Sequence, residues 1–477
     1  MAAKAIHSKA NVSQDSVRSL KAAGFRGELL LPQDNDYDQA RKVWNGMIDR
    51  HPAIIARCLD AGDVLTAVNF ARDNSLLVAV RGGGHNVAGF GTCDDGIVID
   101  LSKMKKIDVD VMARRATAEP GLTWGEFDKA TQAHGLAVTG GLISTTGIAG
   151  FTLGGGVGWL VRKMGLTLDN LLSVDVVTAD GKLLKASLDE NPDLFWGIRG
   201  GGGNFGIVTS FEYSLAPVGP MIFGGMVLYP IEIAAGILEQ YHKFVETTPD
   251  ELTTVAALIT APPAPFIPQE FQGKKVVAIL GCYTGSDLEE GKRVLEPARH
   301  FAEKKADMFQ PMPYLALQSM MDAAAPPGLQ NYWKSSYLPD LSREAVETIL
   351  AAFASVPSPM TAVHLHHLGG AIRRVGEDAT AFGHRDAAYI VNLVSTWPDP
   401  SQSETNVNWT RETFAALQRF TRGVGVYVNF LGEDEGKERI VSAYGDMKYT
   451  RLSKLKSKYD PDNLFRVNQN ILPEQHK

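Results

Sequence analysis

The run Arg81-Gly82-Gly83-Gly84-His85-Asn86 sets an imidazole beside three consecutive glycines, just after the apolar stretch Leu76 to Val80. Glycine tolerates positive φ and lets a ligand approach bare backbone. Successive N–H groups in such a turn form a concavity suited to a pyrophosphate. A second glycine-rich stretch carries Thr139-Gly140-Gly141, Thr145-Thr146-Gly147, Gly150 and the triplet Gly154-Gly155-Gly156. Threonine hydroxyls beside bare backbone suit phosphate and ribityl groups. Two such nests, separated by intervening chain, point to a long ligand with a diphosphate in its middle. A literal G-x-G-x-x-G also occurs, at Gly201, Gly203 and Gly206. The dinucleotide fingerprint follows a strand and opens a helix. Here a helical pattern, Pro192 to Ile198, precedes the glycines and a strand-like run follows them, so the context is reversed. There is no GxxxxGK[ST], HExxH or GxSxG motif.

Elements that could position these loops are readable along the first half of the chain. Ala61 to Asp73 has helical spacing. Leu76 to Val80, Gly96 to Leu101 and Leu172 to Ala179 read as short buried strands, the last closing at the turn Asp180-Gly181. Ile207 to Leu215 alternates with period two, as a half-exposed strand does. The polar first 45 or so residues read as helical, and the whole as an α+β domain ending near Val218. Beyond it the strands Lys275 to Leu280 and Ala388 to Ser395 are separated by helical segments at Ala234 to Glu246, Arg343 to Phe353 and Asn406 to Phe420. Strands with helices segregated to one face suit a second domain. The tail carries a strand-like Gly425 to Leu431, a helix near Lys437 to Tyr444 and the turn-rich Tyr459 to Asn463.

Composition excludes whole classes of function. The formal charge of −7 over 477 residues gives no general attraction to nucleic acid or to an anionic membrane. Three widely spaced cysteines (Cys58, Cys93 and Cys282) define neither a zinc site nor a disulfide framework. No secretory signal or stretch of about 20 apolar residues is present, so a soluble, cytoplasmic protein is expected. Gly is over-represented at 47 residues in the chain, and the cluster between Gly82 and Gly206 marks ligand loops rather than linkers.

The motifs together resemble the berberine bridge enzyme-like FAD-linked oxidases, within the vanillyl-alcohol oxidase and p-cresol methylhydroxylase superfamily. The resemblance rests on Arg81 to Gly89, Gly141 to Asn170, Asp193 to Glu212 and Tyr459 to Ile471. It implies a two-domain α+β flavoprotein: an FAD-binding domain at 1–217, a substrate domain at 218–424 whose antiparallel sheet is covered by helices, and a segment at 425–477 that returns to the first domain. It also implies FAD held by the two glycine stretches, with Arg81, Asn86, Gly89, Ile207, Val208, Asn429, Asn468 and Asn470 contributing. In this family the His of RGGGH, here His85, is bonded to the flavin. Many members add a Cys, but that position is Ile143, so a single link through His85 is expected.

The implied activity is hydride removal from a substrate C–H, of an alcohol, sugar or amine, onto flavin N5, with O₂ reoxidising the flavin to give H₂O₂. Thr146 lies where relatives place a small residue beside the flavin, which favours an oxidase. The alternatives are a dehydrogenase with another electron acceptor and a non-catalytic flavin- or sugar-binding protein. The family base is a Tyr whose position is here Phe430, which takes no proton. Tyr427, Tyr389 and His366 (with its neighbours His364 and His367) are the replacements. His364 and His366 would share a strand face, but no nearby carboxylate or Cys completes a metal site, and none is expected.

Overall fold

A computed structural model describes residue 12 and residues 14–264, 267–421 and 425–474. Helix Ala61–Asp73 shows how the N-terminal core forms. Asp60 caps it by accepting from the N–H groups of Gly62 and Asp63. Val64, Ala67, Val68 and Ala71 recur at i, i+3, i+4 and i+7, and all four are fully buried. They pack on a four-stranded sheet in which Ile54–Arg57 and Val78–Arg81 both run parallel to Ile97–Asp100, and Glu28–Leu30 adds an antiparallel edge. Parallel strands are covered on both faces, and Ile97–Asp100 is accordingly buried at every position. Arg81 ends its strand, so the triple glycine leaves from the carboxyl end of a parallel sheet, where open sheets hold ligands.

A second, five-stranded antiparallel sheet has the order Ile107–Asp110, Arg115–Ala118, Ile207–Ser214, Leu171–Val177 and Leu183–Ser187. Its strand Ile207–Ser214 follows directly from the glycine-rich turn at 200–206.

The third sheet has eight strands, and all its recorded pairings are antiparallel. Its central path runs through Met221–Pro230, Lys275–Tyr283, Leu252–Thr260, Ala362–His367, Tyr389–Trp397 and Gln330–Leu338. Successive side chains alternate between faces. Val227, Ala256, Leu258, Val277, Ile279, Val363, Leu365, Val391 and Leu393 pack with residues of the helices Ala234–Val245, Arg343–Ala354 and Ser403–Thr421. The intervening positions face the other way, toward the glycine loops. That alternation turns the sheet into a wall.

Two expectations change. Gly425 to Leu431 is not a strand: Val428–Phe430 forms a 3₁₀ turn. The first 45 residues are only partly helical, with helices at Gln14–Ala22 and Tyr37–Ala40 around the strand Glu28–Leu30; residues 1–11 and 13 lie outside the described region. The helices Asp446–Tyr459 and Lys437–Tyr444 pack against each other before the chain returns to the glycine-rich core.

Candidate active site

A cavity of about 1030 Å³ lies between the glycine loops and the third sheet. Its floor is two loops pressed backbone to backbone. A Cβ at Gly83 would stand 2.6 Å from both Cα and N of Gly147, and one at Gly147 would stand 2.5 Å from N of Gly83. Glycine is therefore required at both places by contact, not by dihedral angle. Arg81, directly before the loop, is fully engaged, donating to Asp100 Oδ2 at 2.7 Å and to the Lys42 carbonyl at 3.3 Å. It anchors the loop from below.

His85 stacks on Trp44 with ring centroids 4.3 Å apart and planes 17° from parallel. Its Nε2 lies 3.5 Å from Thr145 Oγ1. Burial pulls the imidazole down to about 4, so it is neutral and keeps a free lone pair. Trp44 is itself held, donating from Nε1 to the Ala325 carbonyl.

The far end of the floor is completed from the tail. Asn204 Nδ2 donates to the carbonyls of Gly201 and Gln469, and its Oδ1 accepts from the Ile471 N–H. Lys456 is fully buried and donates to the carbonyls of Asn204 and Phe465, each at 2.8 Å, and to Asp460 Oδ2 at 2.6 Å. This knot clamps residues 465–471 against the turn at Gly201–Asn204. Asn468 faces the cavity with its Oδ1 buried and unpartnered.

The sheet supplies the opposite wall. Met226, Leu228, Ala257, Ile259, Ala278 and Leu280 make its apolar half. His364, His366, Asn392, Thr361, Thr396 and Trp333 make a neutral polar half. His366 is 4% exposed and its Nε2 is unpartnered. Its ring lies 5.6 Å from His364 and 6.1 Å from Phe430. Burial, with a smaller push from His364, lowers His366 to about 3, and burial lowers His364 to about 4. Asn392 sits directly across the strand pair from His364, 2% exposed, with Oδ1 unpartnered.

Tyr427 closes the corner between wall and floor. Its hydroxyl accepts from Gly156 N at 2.9 Å and from Asn429 Nδ2 at 2.8 Å. Burial pushes its pKa up to about 12 in spite of those donors. With both lone pairs taken, the phenol has only its proton to offer.

The structure thus brings Arg81 to Asn86, Thr146, Gly147, Gly150, Ile207, Val208, Asn429, Asn468, Tyr427 and His366 to one cavity. It corrects the placement of others. Tyr389 is on the helical face: it holds an odd-numbered position like Val391 and Leu393, and its hydroxyl meets His242 Nδ1 at 2.9 Å. Thr139 spends its hydroxyl on the Gly165 carbonyl, and Gly140 packs against Trp124. Gly155 and Gly156 turn behind the wall, with φ of +140° and +95°, against Tyr427 and Thr167. Gly89 turns against Ile48. Thr145 reaches His85 without lining the cavity, and Asn470 stands off it. Asn392 and Trp333 were missed, and the turn Gly201–Asn204 was noted in the sequence but set aside as a ligand loop because its context is the reverse of the dinucleotide fingerprint. Alternation along Tyr389–Trp397, extended from either neighbouring strand, was the signal available for Asn392.

This site fits FAD. The cavity pairs two glycine loops with a neutral imidazole beside them and leaves a buried amide oxygen, Asn468 Oδ1, without a partner. The comparisons with known proteins agree. Residues 52–187 match the FAD binding domain family and residues 426–472 the "berberine and berberine like" family. An FAD-linked oxidoreductase of Dictyostelium discoideum is 33% identical over 95% of this chain and 96% of its own length. The (R)-6-hydroxynicotine oxidase of Paenarthrobacter nicotinovorans is 33% identical over 94% of this chain and 97% of its own. A crystal structure of 6-hydroxy-D-nicotine oxidase from Arthrobacter nicotinovorans superposes with a TM-score of 0.85, at 30% identity, covering 95% of this chain and 99% of that one. The protein is an FAD-dependent oxidoreductase of the vanillyl-alcohol oxidase type. Within that class, the chain belongs to the berberine bridge enzyme-like FAD-linked oxidoreductases. Among the described residues, no helix is long and apolar enough to cross a membrane.

Proposed function

We propose that this chain is an oxidase that takes a hydride from a substrate C–H, with O₂ as the final acceptor and H₂O₂ as product. The observation that carries the reading is one cavity with a cofactor floor of bare glycine backbone and a substrate wall of sheet side chains. When bound, FAD supplies the two-electron acceptor at N5 and its own reoxidation by O₂. The glycine loops and Asn468 would hold it, and His85 would carry its covalent link. Ile143 lines the same cavity and has no nucleophile. Cys93 is buried, with Sγ toward the carbonyls of Leu77 and Ile97, and does not reach the cavity. The link is therefore single. The division at 217/218 and 424/425 is retained, because the large sheet begins at Met221 and the floor-completing tail begins after it.

We assign the proton acceptor to His366. Tyr389 is on the wrong face, and Tyr427 is a phenol set as a donor toward a substrate oxygen. The lone pair of His366 is weakly basic, which suffices for a proton that leaves as the C–H bond breaks, because an alcohol losing hydride becomes a strongly acidic protonated carbonyl.

A peroxide-coupled screen over alcohols, amines and sugars tests the activity, and reoxidation in air separates oxidase from dehydrogenase. In anaerobic stopped flow, His366→Ala should slow flavin reduction by an alcohol by ~10²-fold. An unchanged rate in His366→Ala with a large loss in Tyr427→Phe returns the role to Tyr427.

A further inference from the structure

Charge is missing from the cavity wall. Among the described residues no Asp, Glu or Lys lines it, and the one Arg that does, Arg81, is ion-paired to Asp100. A carboxylate or ammonium entering here would lose its hydration with no counter-ion to replace it, a cost far above that of a neutral group. The apolar half of the wall is equally selective. Met226, Leu228, Ile259 and Leu280 project from three adjacent strands and offer no hydrogen bond. A sugar carries hydroxyls on nearly every carbon, and each one buried against those side chains would be left unpartnered, with its desolvation cost uncompensated. Among the described residues of the sheet wall, polar demand is confined to one corner, where Asn392 Oδ1 and His366 Nε2 are buried without partners beside His364. Buried polar groups in native proteins are nearly always paired, so two unpartnered acceptors lining one cavity point to a ligand that pairs them there.

We infer that the substrate is a neutral, largely apolar molecule with a single hydroxyl or amine at its reacting end, whose O–H or N–H proton is received by Asn392 Oδ1 or His366 Nε2 while its body lies along Met226, Leu228, Ile259 and Leu280. This rests on the oxidase reading for the word substrate, but not for the binding preference itself. Asn392 is then a specificity residue: it pairs the one polar group that a sugar or an acid would offer in excess or in the wrong charge state. Sites built to hydrogen-bond one group discriminate strongly against ligands that leave it unpaired.

The test uses the flavin-loaded protein and three probes: 3-phenylpropan-1-ol, 3-phenylpropanoate and cellobiose. Binding is read by calorimetry and by perturbation of the flavin absorbance, independently of turnover. The alcohol should bind at least tenfold more tightly than its carboxylate twin, and cellobiose should bind more weakly still. Asn392→Leu should weaken the alcohol about tenfold and leave propylbenzene unaffected. Equal or tighter binding of the carboxylate or the sugar overturns the inference, as does absence of binding by the alcohol. The wild-type series decides the matter even if Asn392→Leu fails to fold. If the alcohol wins in binding yet no neutral alcohol or amine reduces the flavin, the oxidase reading fails and the binding preference stands. If cellobiose yields peroxide, the reverse holds.

Discussion

Replacing Gly83 with alanine tests whether the two loops of the floor must touch. The added Cβ falls 2.6 Å from Gly147 Cα and N, whereas ordinary contact begins at 3.4 Å, so the loops must part by about 0.8 Å. Both contacting atoms are backbone, and Gly147 is tied in turn through its β-bridge to Thr123. No flexible side chain can absorb the strain. Overpacking of this kind costs about 1–3 kcal/mol, or several degrees of melting temperature for a domain of 150–250 residues at roughly 2–4 °C per kcal/mol. The larger consequence is for the cofactor, since the displaced N–H groups are those of the floor. Gly83→Ala should therefore purify with a reduced 450/280 nm absorbance ratio as well as a lower melting point. Gly236→Ala is the control, because nothing lies within 4 Å of its Cβ on the exposed face of Ala234–Val245; it should stabilise by about 0.5–1 kcal/mol. Full flavin content and an unchanged melting point in Gly83→Ala would refute the contact argument.

Gly150 lines the cavity, yet a Cβ there meets no protein atom within 4 Å. Because Gly150 is interior to the helix Ile148–Leu153, Gly150→Ala should leave the flavin-free chain at least as stable as wild type and yet lower flavin retention, measured by denaturant titration and by absorbance. Lys456→Met strips the buried Asp460 of its counter-ion and should cost about 3–5 kcal/mol with loss of flavin; Lys456→Met/Asp460→Leu should recover only part of it in the same urea titration, because the N–H groups of Leu464 and Phe465 then lose their carboxylate acceptor. His366 is neutral when folded down to about pH 3, against an ordinary value near 6.5 when unfolded. Its contribution is complete above pH 6.5 and is lost below it, by up to about 1.4 kcal/mol per pH unit, as the unfolded chain takes up a proton that the folded one refuses. His366→Gln should flatten the fall in melting temperature between pH 6.5 and 4.5.

Helix boundaries were legible in several places, though the longest helix, Ser403–Thr421, was read only from Asn406 to Phe420. Ala61–Asp73 was read to the residue, and Ala234–Val245 and Arg343–Ala354 to within one. The segment around Tyr427 was not, because Gly425-Val426-Tyr427-Val428 has strand composition while its hydrogen bonds go to the 3₁₀ turn and the Gly156 loop instead. Glycine counts located both loops of the floor but could not separate Gly147, which touches Gly83, from Gly155 and Gly156, which only turn the chain. That distinction depends on which loop meets which, a long-range fact. Tyr389 is the instructive miss, since period two alone puts it on the same face as Val391 and Leu393.

The clamp of Lys456 on Asn204 and Phe465 gives the protein a biosynthetic clock. The floor between Gly82 and Gly206 is synthesised early, but Asn468 and its neighbours emerge only about 260 residues later. At 5–20 residues per second, that is a delay of about 13–50 s. The cleft gains its last side only when residues 465–471 reach the turn at Gly201–Asn204, so the last stretch of chain to be made completes the cofactor floor.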